Sequence, residues 1–82
     1  MSLKLKIVSP EKVEFDDYVE SVKVPGVMGN FEILENHAPI ISVLQSGIIE
    51  YTANGDRRQL NVSGGFVEVH KNEVSLCVEK TR

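Results

Sequence analysis

Apolar and polar residues alternate along most of this chain with a period of two, the spacing that places every second side chain on one face of a strand. Leu3, Leu5 and Ile7 share a face, with Lys4 and Lys6 opposite, and Met1 and Ser2 lead into the same run. Ser9-Pro10-Glu11 breaks it. Val13 and Phe15 then alternate with Lys12, Glu14 and Asp16, and Asp16-Asp17 predicts a turn. Tyr18, Glu20, Val22 and Val24 alternate with Val19, Ser21 and Lys23 up to Pro25-Gly26. That pair ends the strand, because proline cannot donate to a ladder and glycine accepts positive φ.

A short strand is predicted around Phe31 to Leu34, followed by a loop, Glu35-Asn36-His37-Ala38-Pro39. Ile40 to Leu44 is apolar on both phases apart from Ser42. Gln45-Ser46-Gly47 turns the chain into Ile48 to Ala53. Asn54-Gly55 is the strongest hairpin signal, since a type I′ turn needs positive φ at both central residues. Arg57 to Val62 returns, Ser63-Gly64-Gly65 breaks or bulges the strand, and Phe66 to Val69 resumes it. His70-Lys71-Asn72 turns the chain into a last strand whose inward face is Val74, Leu76 and Val78. Asn30 to Asn36, the best helical window, is too short to stand on its own. The pattern predicts an all-β fold, a small flattened β-sandwich of about nine to ten short, mostly antiparallel strands.

With 82 residues the chain is expected to be one domain, 1–82, with little room for both a core and a deep catalytic cleft. Nine Lys+Arg against twelve Asp+Glu, a net charge of −3, gives no electrostatic footprint for nucleic acid. Arg57-Arg58 is the one adjacent basic pair, and Asp56 beside it makes it a solvated turn. A single cysteine, Cys77, excludes an internal disulfide. The alternating start is unlike a signal peptide, and no stretch approaches the ~20 apolar residues of a membrane span. A soluble, cytoplasmic chain is expected, with no direct membrane insertion.

Candidate chemistry is sparse. His37 and His70 have no second ligand at a metal spacing, and a zinc site needs three or four. Ser63-Gly64-Gly65 lacks the flanks of a nucleophile elbow, and Gly26-Val27-Met28-Gly29 is not a dinucleotide fingerprint. The carboxylates are scattered on the polar phase of the strands. No catalytic residue, metal or cofactor is expected. What stands out is an apolar surplus: Ile40-Ile41, Val43-Leu44 and Ile48-Ile49 place apolar groups on both phases, and Val27-Met28 places two more in a loop. A sandwich buries one face of each strand, so part of this surplus is a candidate partner surface.

Two longer segments carry more information. The first is Val24-Pro25-Gly26-Val27-Met28-Gly29-Asn30-Phe31-Glu32-Ile33-Leu34-Glu35-Asn36-His37-Ala38-Pro39-Ile40-Ile41, with Gly47-Ile48-Ile49 opening a strand five residues on. The second is Val62-Ser63-Gly64-Gly65-Phe66-Val67-Glu68-Val69, followed by Asn72 and Val74. A Gly-x-x-Gly turn, an aromatic strand, a His-Ala-Pro loop and a Ser-Gly-Gly-aromatic strand, in this order, resemble the N-terminal domain of the F-type ATP synthase epsilon subunit, called delta in mitochondria. The resemblance runs over about residues 3 to 79. Glu32 stands where the family often has glycine, Glu35-Asn36 where it often has Pro-Gly, and Asn30 where it is often acidic. Many members continue into a C-terminal helical hairpin that brakes ATP hydrolysis or binds ATP. This sequence stops at Arg82, where the hairpin would begin, so neither activity is expected of it.

The resemblance implies a non-catalytic rotor part of the central stalk. The gamma subunit and the ring of c subunits are the implied partners, and the cytoplasmic face of the cell (inner) membrane is the implied, peripheral location. Proton flow turns the ring, the stalk turns with it, and ATP is made at distant catalytic subunits. Carried over by position, the ring-facing loops are Val27, Met28, Gly29, Asn30 and Phe31, with Asn36, His37, Ala38 and Pro39. Gly26 and Gly29 are expected to shape the first loop through positive φ, and Ala38-Pro39 to stiffen the second. Ile40, Leu44 and Ile48 are the candidates for a gamma-facing apolar surface. Two other classes compete with the rotor reading. One is a free-standing sandwich that binds a ligand or peptide at a sheet edge, the other a small hydrolase, for which no nucleophile and base are evident.

Overall fold

The computed structural model describes residues 3–81; Met1, Ser2 and Arg82, the ends of the expected domain, lie outside the described residues. Eight strands follow in chain order: β1 (Leu3–Val8), β2 (Val13–Val19), β3 (Ser21–Gly26), β4 (Gly29–Ile33), β5 (Ile40–Leu44), β6 (Gly47–Ala53), β7 (Asp56–His70) and β8 (Glu73–Lys80). They form one hydrogen-bonded sheet in the order β2-β1-β8-β7-β5-β3-β4, with β6 off this path and paired with both β3 and β7. The β1–β8 pair is parallel and the other described pairs are antiparallel.

The sheet folds over on itself because β7 serves two sets of neighbours. Its first half, Asp56 to Val62, pairs with β6, and its second half, Gly65 to Val69, pairs with β5. Between them the register against β8 slips from Val62 to Gly64, a bulge that bends the strand. Gly65 makes the bend feasible. Its φ is 147°, and a Cβ there would lie 2.2 Å from the Cys77 carbonyl oxygen. Folding brings β2 against β6, where the Phe15 and Tyr51 rings meet with centroids 4.7 Å apart. The result is flattened, 34 × 24 × 19 Å, and fits a β-sandwich.

The core follows the period-two pattern. Leu3, Leu5 and Ile7 of β1 and Val74, Leu76 and Val78 of β8 all point inward. Ile33 and Ile49 join them from the other layer. Each such side chain contributes roughly 1.5–3 kcal/mol relative to exposure. Among the described residues no polar or charged residue is buried, so little desolvation opposes this term.

Two local expectations need correction. Asp16-Asp17 is not a turn: β2 runs through both, opposite Lys6 and Leu5 of β1. An edge strand tolerates carboxylates that reach solvent, and Lys4 Nζ lies 3.6 Å from Asp16. Residues 30–36 form β4 and a following turn, in keeping with the strand expected around Phe31 to Leu34. Arg57–Val62 and Phe66–Val69 are one continuous strand, which accounts for eight strands in place of nine. The Asn54-Gly55 turn has positive φ at both residues, 54° and 80°, closing the Ala53–Asp56 pair.

Candidate docking surface

The β3–β4 hairpin turns at Val27 and Met28, and the Met28 side chain is 96% exposed. Its base is tied to the end of β5: the Val27 N–H donates to the Val43 carbonyl at 3.1 Å, and the Gln45 N–H to the Pro25 carbonyl at 2.8 Å. The two glycines differ in role. Gly29 has φ 127°, with open space where a Cβ would stand. Gly26 has no positive φ; it is needed for space, since a Cβ would meet the Gly29 carbonyl oxygen at 2.8 Å and the Phe31 ring at 3.0 Å. The expectation of positive φ therefore holds for Gly29 alone.

The second loop begins with a turn in which the His37 N–H donates to the Leu34 carbonyl at 3.2 Å. Asn36 takes φ 69°, at the turn position where glycine or asparagine is favoured. His37 Nδ1 lies 2.7 Å from the Ala38 carbonyl oxygen, which can only accept, so Nδ1 carries the proton. Ala38 and Pro39 are exposed. The two loops are anchored separately, the first to β5 and the second to the β7–β8 turn, and they meet where the Phe31 and His37 rings stand 6.4 Å apart.

The apolar surplus resolves into inward and outward phases. Leu44 is only 3% exposed and Ile40 packs against the core, so neither belongs to a partner surface. Both are corrections: β5 shows its other phase to solvent, with Ile41 73% and Val43 60% exposed. Ile48 is exposed, but it shares the outer side of β6 with Glu50 and Thr52, next to Lys23 and Arg57. Arg57 Nε lies 3.2 Å from Glu50. The register instead builds an apolar row across four strands: Val43 opposite Phe66, Phe66 opposite Cys77, and Cys77 opposite Val8. Phe66 is 45% exposed. A shallow groove of about 390 Å³, lined in part by Val8, Pro10, Phe66 and Cys77, runs beside it. One step along, the row reads Ile41, Glu68, Ser75, Lys6, so the face turns polar toward β1.

Among the described residues no group of three or more His, Cys, Asp or Glu could hold a metal ion. Among the described residues the one perturbed ionisable group is Glu14, away from both loops. Ser9 Oγ donates to Glu14 Oε2 at 2.8 Å, and Lys80 Nζ lies 3.4 Å from Oε1. The Ser9 hydrogen bond, aided by Lys80 and Lys12 against a smaller effect of burial, holds the carboxyl below its ordinary value. This knot fastens the β1–β2 turn to the end of β8.

Residues 2–82 match the model of the ATP synthase delta/epsilon chain β-sandwich domain. The chain belongs to this family. It is 42% identical over 77 residues to the ATP synthase epsilon chain of Leptospira interrogans, covering 94% of this chain and 61% of that protein. It is 44% identical over 75 residues to the epsilon chain of Desulfitobacterium hafniense, covering 92% and 57%. The sequence thus spans about three fifths of the length of these curated relatives. The fold is shared with a chain in the cryo-EM structure of Euglena gracilis mitochondrial ATP synthase, OSCP/F1/c-ring (TM-score 0.88, 21% identity, 94% of this chain and 50% of that one). It is shared too with one in the Tetrahymena thermophila mitochondrial ATP synthase central stalk/c-ring (0.83, 16%, 98% and 65%).

For this delta/epsilon sandwich, sequence periodicity places Ile41 and Val43 in the apolar surplus without choosing them as its outward phase, and it misses Phe66 as a surface residue. A usable signal was present on β7 and β8, where Val67, Val69, Val74, Leu76 and Val78 hold one clean inward phase. That phase puts Phe66 and Cys77 outside, and pairing with β5 then selects Ile41 and Val43.

Proposed function

We propose that this domain is a non-catalytic part of the central stalk of a proton-translocating ATP synthase, coupling rotation of the c-subunit ring to the gamma subunit and hence to ATP synthesis. Membership of the delta/epsilon family across residues 2–82 carries the reading. The domain docks on gamma through the row Val43, Phe66, Cys77 and Val8. It meets the ring through Val27 to Phe31 and Asn36 to Pro39, and so works at the cytoplasmic face of the cell membrane as a peripheral component. A closely packed sandwich suits the task, because stiff interiors transmit strain.

The test is co-expression with the gamma subunit of the same genome, read by size-exclusion chromatography with light scattering. A one-to-one complex is expected. A domain that stays monomeric beside well-folded gamma turns the reading to a free-standing binding module. Met28→Glu should leave the gamma complex and the fold intact, since Met28 makes almost no core contact, while weakening attachment to the assembled ring. Loss of folding in this variant would remove Met28 from the contact loop.

A further inference from the structure

The β7–β8 turn and the His37 loop are 36 residues apart in sequence, yet an asparagine from each holds the other. The Asn36 N–H donates to Asn72 Oδ1 at 2.5 Å, and Asn72 Nδ2 donates to Asn36 Oδ1 at 3.2 Å. Both residues take positive φ, 69° and 62°. Asparagine tolerates this region better than most residues do, and at both positions its amide does something glycine could not. Asn72 is itself fixed: Lys71 and Asn72 form a two-residue turn between His70 and Glu73. Its carbonyl accepts the Lys4 N–H at 2.8 Å. The support for the loop is thus the rim of the β1–β8–β7 layer.

We propose that Asn72 is a positioning residue: its side chain holds the backbone at Asn36 and so sets the shape in which His37, Ala38 and Pro39 are presented to a partner. The inference rests on the reading of that loop as a contact loop. A connection of this length carries few backbone hydrogen bonds of its own, and the 34–37 turn supplies one. The Asn36–Asn72 pair adds two more, directly before His37.

Asn72→Gly keeps the positive-φ turn and removes both side-chain bonds. Asn72→Asp keeps the acceptor for the Asn36 N–H. In the ¹⁵N-labelled chain, Asn72→Gly should speed exchange of the Asn36 amide about fivefold or more, as loss of one net hydrogen bond predicts. Affinity for the purified gamma–c-ring rotor should drop about three- to tenfold. Asn72→Asp should restore both to within about twofold of the parent. Unchanged Asn36 exchange in Asn72→Gly overturns the proposal, as does faster exchange in both variants. Faster exchange with unchanged affinity also overturns it, provided that Ala38→Asp weakens binding. If Ala38→Asp binds like the parent, the contact-loop reading itself fails and the positioning role falls with it.

Discussion

Two residues outside the proposed contact row, Gly65 and Glu14, each carry a prediction about stability. At Gly65 a methyl group would collide with backbone, the Cys77 carbonyl oxygen at 2.2 Å and Val78 Cα at 2.9 Å, and φ is 147°. Neither neighbour can swing away, because both belong to β8 in the ladder. Gly65→Ala should cost at least about 2–3 kcal/mol, a large share of the stability of so small a domain. Urea unfolding should show a lower midpoint at unchanged slope; a midpoint within error of the parent would mean that the bulge is not held at Gly65. Glu14 makes a different prediction. Its folded pKa is depressed by the Ser9 hydrogen bond first and by Lys80 next, so its contribution is present above the unfolded carboxyl value of 4.5. That contribution is lost as pH falls through the lower folded value. Ser9→Ala should therefore destabilise the domain at pH 7 and have a smaller effect at pH 3. Equal effects at both pH values would assign Ser9 to turn geometry alone.

Strands differed in how plainly their sequences declared them. β1 and β8 were legible because lysine, serine and glutamate mark their outer phase. β5 was not: Ile40, Ile41, Val43 and Leu44 are apolar on both phases, so alternation cannot choose a face. The register against β7 chooses it, placing Ile41 opposite Glu68 and Val43 opposite Phe66. That register turns Ile40 and Leu44 toward the core. The Asp16-Asp17 turn failed for a related reason. Turn propensity is local, and cross-strand lysines with solvent at an edge outweighed it. The Asn54-Gly55 turn is legible, since a type I′ turn depends on local chemistry. The Asn36–Asn72 pair could not be read from sequence, because it joins two turns through tertiary proximity alone.

Over the whole molecule the exposed apolar groups are unevenly distributed, and that asymmetry bears on the orientation proposed for the domain against gamma. The outer side of β6 carries Glu50 and Thr52 around Ile48, and the outer side near β1 carries Lys4, Lys6, Asp16, Glu73 and Ser75. The outer side of β5, β7 and β8 presents Ile41, Val43, Phe66 and Cys77. A contiguous apolar patch is uncommon on a monomer, whereas a lone Ile48 among charges is ordinary. If gamma covers the β5–β7–β8 side, Val43→Lys should weaken the gamma complex at least about tenfold, because a lysine would be buried there without a partner. Its unfolding free energy should stay within about 0.5 kcal/mol of the parent, since Val43 is already more than half exposed. Ile48→Lys, equally neutral for folding, should leave the complex unchanged. Titration calorimetry of both variants against purified gamma reads the difference directly. The reverse pattern would put gamma on the β6 side, and equal losses would mean that neither sheet face alone forms the interface.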